Sequence, residues 1–144
     1  MPSELKDVLL AEDNPGDVFL VKEALRAHGI FVNLHVATNG EEAIRFLDAI
    51  EESSHAPCPA LALIDLNLPK RDGLEVLKRL REGKKCAHIP VTLMSSSRRP
   101  PEVDLDQPPL FANRFFNKPN TLGEYMTLGA IVGELLQLPM PVSG

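Results

Sequence analysis

Short apolar runs alternate with amphipathic stretches along almost the whole chain. Residues 7–11 (DVLLA), 33–37 (NLHVA), 60–65 (ALALID), 90–94 (PVTLM) and 113–117 (NRFFN) have the length and the β-branched, aliphatic or aromatic character of strands. Between them apolar residues return at helical spacing: Val18, Val21 and Leu25; Ala43, Leu47 and Ile50; Leu74, Leu77 and Leu80. The start signals agree, since Asn14 can cap a helix with Pro15 at its first position, and residues 38–41 (TNGE) have capping-box spacing. A last helix is expected to open at Asn120 or Thr121 and run to about Leu138. Strand and helix in strict alternation predict an α/β fold, a doubly wound five-stranded parallel sheet covered on both faces. If the strand order is 2-1-3-4-5, the first and third strands are neighbours, and a site forms beyond their carboxyl ends where the order reverses.

The pattern breaks once. Between the fourth and fifth strands a helix is due, but prolines stand at 100, 101, 108 and 109. A proline lacks the amide hydrogen and clashes with the preceding turn, at about 3 kcal/mol or more inside a helix. Gln107, ahead of Pro108, is pushed towards an extended conformation. The fourth helix is therefore expected to be short or missing, and residues 98–111 to form an irregular or mobile loop anchored by Leu105, Leu110 and Phe111.

Composition bounds this picture without changing it. The chain has 144 residues, 44% hydrophobic and 24% charged, which suits one globular domain: residues 1–144, with a core of about 5–138 and a short tail, 139–144. With 15 Lys+Arg against 20 Asp+Glu the formal charge is −5, and the basic clusters are short, so a nucleic-acid partner is not expected. No apolar stretch has the length of a membrane span and the start has no signal-peptide layout, so no membrane contact and a cytoplasmic location are expected. Cys58 and Cys86 lack a CxxC spacing and are expected to be reduced and structural. The four histidines, His28, His35, His55 and His88, are scattered without metal-ligand spacing.

Charge at the strand ends carries the chemistry. Glu12 and Asp13 follow the first strand and Asp65 ends the third, so three carboxylates would converge in the expected sheet. Carboxylates brought together repel one another, and burial raises their pKa values unless something positive is present. An all-oxygen set with no nearby His or Cys suits a hard cation, and a small open site of this kind suits Mg²⁺. Lys118, at the end of the fifth strand, can supply a second positive charge. Ser95 follows the fourth strand with a hydroxyl, although Ser96 and Ser97 offer two more and only strand geometry selects among them.

An acidic pair, a lone Asp, a hydroxyl and a lysine, each at a different strand end, resemble the receiver domain of bacterial two-component response regulators. The likeness covers roughly residues 5–138, and DLNLPKRDG (65–73) with NKPN (117–120) is specific at this spacing. The resemblance implies that Asp65 is phosphorylated, Asp13 binds Mg²⁺ directly, Glu12 helps through water, and Asn67 lends its backbone carbonyl to the metal. It implies further that Ser95 hydrogen-bonds the phosphoryl group, Lys118 pairs with it, and Phe115 occupies an aromatic switch position. Such a protein catalyses only its own phosphorylation and dephosphorylation. LLAEDNPGD (9–17) and DLNLPKRDGLEVLKRLR (65–81) look most like the single-domain regulators that partner bacterial phytochromes. A sensor histidine kinase is then the expected phosphodonor, and the likeness to phytochrome-partnered regulators points to a bacteriophytochrome. Output would run through protein contact, oligomerisation or action as a phosphate sink.

Two other readings use the same residues. A haloacid-dehalogenase-like phosphohydrolase also pairs a strand-end Asp nucleophile with Mg²⁺, but it needs a second Asp two residues later, where this chain has Asn67. A receiver-like interaction module independent of phosphorylation would not require the acceptor, acidic pair, hydroxyl and lysine together. Finally, Leu122, Tyr125, Met126, Leu128, Ile131, Val132, Leu135, Leu136 and Leu138 cover more of the last helix than a core-facing stripe needs. A symmetric homodimer through this helix and the fifth strand is expected.

Overall fold

A computed structural model describes residues 5–97 and 104–137. Five strands, β1 (Lys6–Ala11), β2 (Val32–Ala37), β3 (Leu61–Asp65), β4 (Val91–Ser95) and β5 (Arg114–Asn117), form one parallel sheet in the order β2-β1-β3-β4-β5. Every residue of β3 and β4 is buried, as continuous apolar strands at the middle of a doubly covered sheet must be. Period-two alternation divides the core. Val8, Leu10, Leu63 and Phe116 face one side, with α1 (Pro15–Ala27) and the last helices, whereas Leu9, Ala11, Ile64 and Leu93 face α2 (Gly40–Glu52) and α3 (Gly73–Arg81).

The caps are close to expectation. Asn14 accepts from the Asp17 amide with Pro15 at the first helical position. At α2 the cap is Asn39, which accepts from the Glu42 amide, while the Glu42 carboxylate accepts from the Thr38 amide and hydroxyl, so the cap and its acid each lie one residue later than the 38–41 spacing suggests. At α3, Asp72 accepts from the Glu75 amide, and a Cβ on Gly73 would lie 2.3 Å from the Asp65 carbonyl oxygen. Only glycine lets the start of α3 close on the end of β3.

The last helix differs from its expected form. It is two pieces, α4 (Leu122–Tyr125) and α5 (Leu128–Leu135), and the expected terminus at Leu138 lies outside the described residues. The break has a chemical cause. The Thr127 hydroxyl donates to the Glu124 carbonyl at 2.6 Å, and the amides of Thr127, Gly129 and Ala130 bond three residues back rather than four. His28 Nε2 sits 3.0 Å from the Met126 carbonyl oxygen, which Ala130 would otherwise use. Residues 104–113 contain no helix, as the prolines require; Pro100 and Pro101 fall outside the described residues.

Cys58 and Cys86 are not reduced: their sulfurs are bonded, with the Cα atoms 5.6 Å apart. The segments 53–60 and 82–90 run together at the amino ends of β3 and β4, a proximity that spacing along the chain does not reveal. Glu51 holds them there by accepting from the amides of Lys84, Lys85 and Cys86, and Lys85 Nζ donates to the carbonyls of Ile50, Ser53 and Ala56. Among the described residues no helix is long and apolar enough to cross a membrane.

Candidate functional site

The sheet delivers its polar residues to one end. The Glu12 amide donates to Ala37 O at 2.9 Å, continuing the β1 ladder one residue past the strand and sending the Glu12 side chain into a fully buried position. Asp65 ends β3 and is 4% exposed, with Oδ1 accepting from the Asn67 amide at 2.8 Å. The Lys118 amide donates to Ser95 O at 2.7 Å, extending the pairing of β4 with β5 and turning the lysine across the sheet end. Its Nζ donates to Glu12 Oε1 at 2.7 Å, Asp65 Oδ2 at 2.8 Å and Asp17 Oδ2 at 3.1 Å. Asp13 is exposed at the mouth, yet Glu12, Asp13 and Asp65 each offer a carboxylate oxygen within 4.8 Å of the others.

Of the three consecutive serines only Ser95 is buried. Its Oγ accepts from the Ser97 amide at 2.9 Å and stands 3.4 Å from Asn67 Nδ2. Asn67 therefore joins Asp65 through its amide and Ser95 through its side chain. Phe115 is half-buried against the face that Leu93 and Ile64 line; Phe116 is buried on the opposite face, edge-on to Tyr125 at 5.4 Å between ring centroids.

Burial, opposed by the Lys118 hydrogen bond and the Asn14 amide, pushes the Glu12 carboxyl up to about 7. Burial alone would lower the Lys118 ammonium, but its hydrogen bonds to Asp65 and Glu12 win and hold it above the ordinary lysine value. Tyr125 is raised by burial and by the Asp17 charge. One ammonium thus serves a group of carboxylates with charge to spare. Oxygen donors alone, an excess of negative charge and an open mouth at Asp13 fit a hard divalent cation.

Asp17 and Tyr125 were not expected at this end. A first-turn acid reads as a partner for the helix dipole. Spacing marks neither residue: Asp13 lies ahead of the Asn14 cap, so its separation of four from Asp17 is not helical, and Tyr125 has only its place in an apolar stripe.

Residues 8–128 match the family described as response regulator receiver domain. The chain belongs to that family. The receiver is 38% identical over 98 residues to response regulator Rcp1 of Synechocystis sp., covering 68% of this chain and 67% of Rcp1. The Mn²⁺-bound form of Rcp1 superposes with a TM-score of 0.77 at 32% identity, over 95% of this chain and 99% of that one. The phosphorylated cyanobacterial phytochrome response regulator RcpA gives 0.74 at 29%, over 95% and 99%, and the bacteriophytochrome response regulator AtBRR gives 0.69 at 36%, over 97% and 98%. The receiver fold and a place in two-component signalling follow, and a haloacid-dehalogenase-like assignment does not.

Proposed function

We propose that this receiver is a stand-alone response regulator, a single domain over residues 1–144 that accepts a phosphoryl group on Asp65 from a phosphohistidine of a sensor histidine kinase. The observation that carries the reading is the Asp65 carboxylate, buried at a strand end, bonded to Lys118 at 2.8 Å and grouped with Glu12 and Asp13. An Asp65 oxygen attacks phosphorus, the P–N bond to the imidazole breaks, and its electron pair returns to the ring nitrogen, leaving an acyl phosphate. Lys118 stays within reach of the added oxygens through charge-assisted bonds. Asp13, Asp65 and the Asn67 carbonyl would hold Mg²⁺, with Glu12 acting through water. The bound ion would offset carboxylate repulsion and stabilise charge on the transferred group.

The Ser95 hydroxyl, already at the site, donates to a phosphoryl oxygen. Turning to that oxygen frees space for the Phe115 ring, so phosphorylation biases two packings of one surface. A phytochrome-type kinase as donor is supported by the likeness to Rcp1, RcpA and AtBRR. A homodimer through β5 and the last helices, a cytoplasmic location, and output by protein contact or phosphate sink complete the proposal.

Incubation with Mg²⁺ and acetyl phosphate, followed by intact mass, tests it. One added phosphoryl group, mapped to Asp65, is the expected result. No change would favour an interaction module independent of phosphorylation, and steady phosphate release from varied esters would favour a hydrolase.

A further inference from the structure

Asp17 occupies the third helical position of α1, but its carboxylate turns inward rather than serving the helix end alone. Oδ2 accepts from Lys118 Nζ at 3.1 Å and Oδ1 accepts from the Tyr125 hydroxyl at 3.2 Å. Tyr125 is 2% exposed, is the only buried residue of the four in α4, and packs edge-on against Phe116 of β5. Asp65, Lys118, Asp17 and Tyr125 form a continuous hydrogen-bonded chain from the acceptor carboxylate to the last helices.

An ammonium has three donors, and here all three are taken, by Glu12, Asp65 and Asp17. Phosphoryl oxygens added at Asp65 are stronger acceptors, and Lys118 can turn to them only by weakening its bonds to Glu12 or Asp17. If it leaves Asp17, that carboxylate either leans wholly on the Tyr125 hydroxyl or turns to water and leaves the hydroxyl unpaired. A buried tyrosine hydroxyl needs its partner, so either outcome shifts the packing of α4. Because α4 is so short, Tyr125 is its principal anchor.

We propose that Asp17 and Tyr125 couple occupancy of Asp65 to the packing of α4 and α5, with Asp17 a positioning residue that acts through Lys118. This route is separate from Ser95 and Phe115, since Phe115 packs on the other face of the sheet. It rests on phosphorylation of Asp65 as proposed above.

The test is hydrogen exchange over residues 122–136 with and without Mg²⁺ and acetyl phosphate, with intact mass read on the same samples. In the wild type, phosphorylation should change exchange there by ~5-fold or more, the lower range of ordinary coupling between sites. Tyr125→Phe keeps the ring against Phe116 and should take the same phosphoryl mass while losing that change. Asp17→Asn should lose it too, and the double variant should lose no more than either single one. A merely structural hydroxyl would shift both states alike and leave the phosphorylation-dependent difference intact. Phosphorylated Tyr125→Phe showing the full wild-type change would overturn the inference alone, as would phosphorylated wild type showing none. Should Asp17→Asn fail to fold, Tyr125→Phe decides by itself. Wild type that takes no phosphoryl mass would overturn the proposed function, and the coupling with it.

Discussion

The Lys118 ammonium meets three carboxylates between 2.7 and 3.1 Å while Asp13 waits exposed beside them, so a single positive charge balances a cluster that needs more. Two substitutions separate the roles of these oxygens. Asp65→Asn preserves shape and removes the carboxylate proposed to attack phosphorus, so added phosphoryl mass should vanish while far-UV circular dichroism is unchanged; phosphorylation elsewhere in the variant would contradict the assignment. Asp13 is the carboxylate open to solvent, where the proposed Mg²⁺ would enter. Mg²⁺ at ~100 times Kd should stabilise the wild type by ~2.7 kcal/mol, seen as a rise in Tm, and Asp13→Ala should abolish that rise. Glu12, Asp13, Asp65 and Lys118 were legible because each ends an apolar run, and a parallel sheet sends all such ends to one place. Ser95 needed strand geometry, since three identical residues follow one another. Asp17, Tyr125 and the pairing of Cys58 with Cys86 were not legible, because side-chain direction in a first helical turn and the approach of two loops are tertiary facts.

Among the elements, the segment after β4 was the clearest departure visible in the sequence, and residues 104–113 do lack a helix. What holds this segment was not visible. Arg81, in the last turn of α3, reads as a cation complementing the helix dipole, yet its Nε donates to Phe111 O at 2.9 Å. Its Nη1 donates to Ala87 O at 2.9 Å and Ile89 O at 2.7 Å, and the guanidinium lies 5.9 Å from the Phe111 ring centroid. One side chain therefore ties α3 to the entry of β4 and to the proline-rich connection. Arg81→Met should cost about 2 kcal/mol, as for lost hydrogen bonds from a charged donor, and should speed hydrogen exchange across 104–113; an unchanged urea midpoint would contradict this. The disulfide acts on the neighbouring loops. Closing a loop across a separation of 28 residues stabilises by about 3.5 kcal/mol in the chain-entropy account, so a dithiol reductant should lower the urea midpoint accordingly, and Cys58→Ala should remove that sensitivity. The break between α4 and α5 escaped the apolar pattern because that pattern runs on through it; the Thr127 hydroxyl and the His28 ring divide the helix.

At the scale of the whole molecule, the sheet has two edges and the site lies at one end, so the way a signal leaves depends on which surfaces remain uncovered. β5 is an edge strand, and the last helices pack beside it, with Arg114 of β5 paired to Glu134 of α5. Tyr125, Leu128, Val132 and Leu136 are buried in the core, which accounts for one stripe of the apolar surface. The rest is not consumed: Leu122 is 59% exposed, and Met126, Ile131 and Leu135 are half-buried at the rim of the same core. Exposed apolar surface continuous with a sheet edge suits a second copy related by a two-fold axis, because each copy then offers the same patch to the other. A stable pair needs on the order of 800 Å² from each partner, which this face would have to supply together with β5. Leu122→Asp places a charge where burial in the monomer is slight, so it should leave the urea midpoint within ~0.5 kcal/mol of wild type while weakening the pair. Sedimentation at high micromolar concentration should then show two chains for the wild type and a shift towards one for the variant. A wild type that sediments only as a single chain, with and without phosphorylation, would rule the dimer out and leave this face to a different protein.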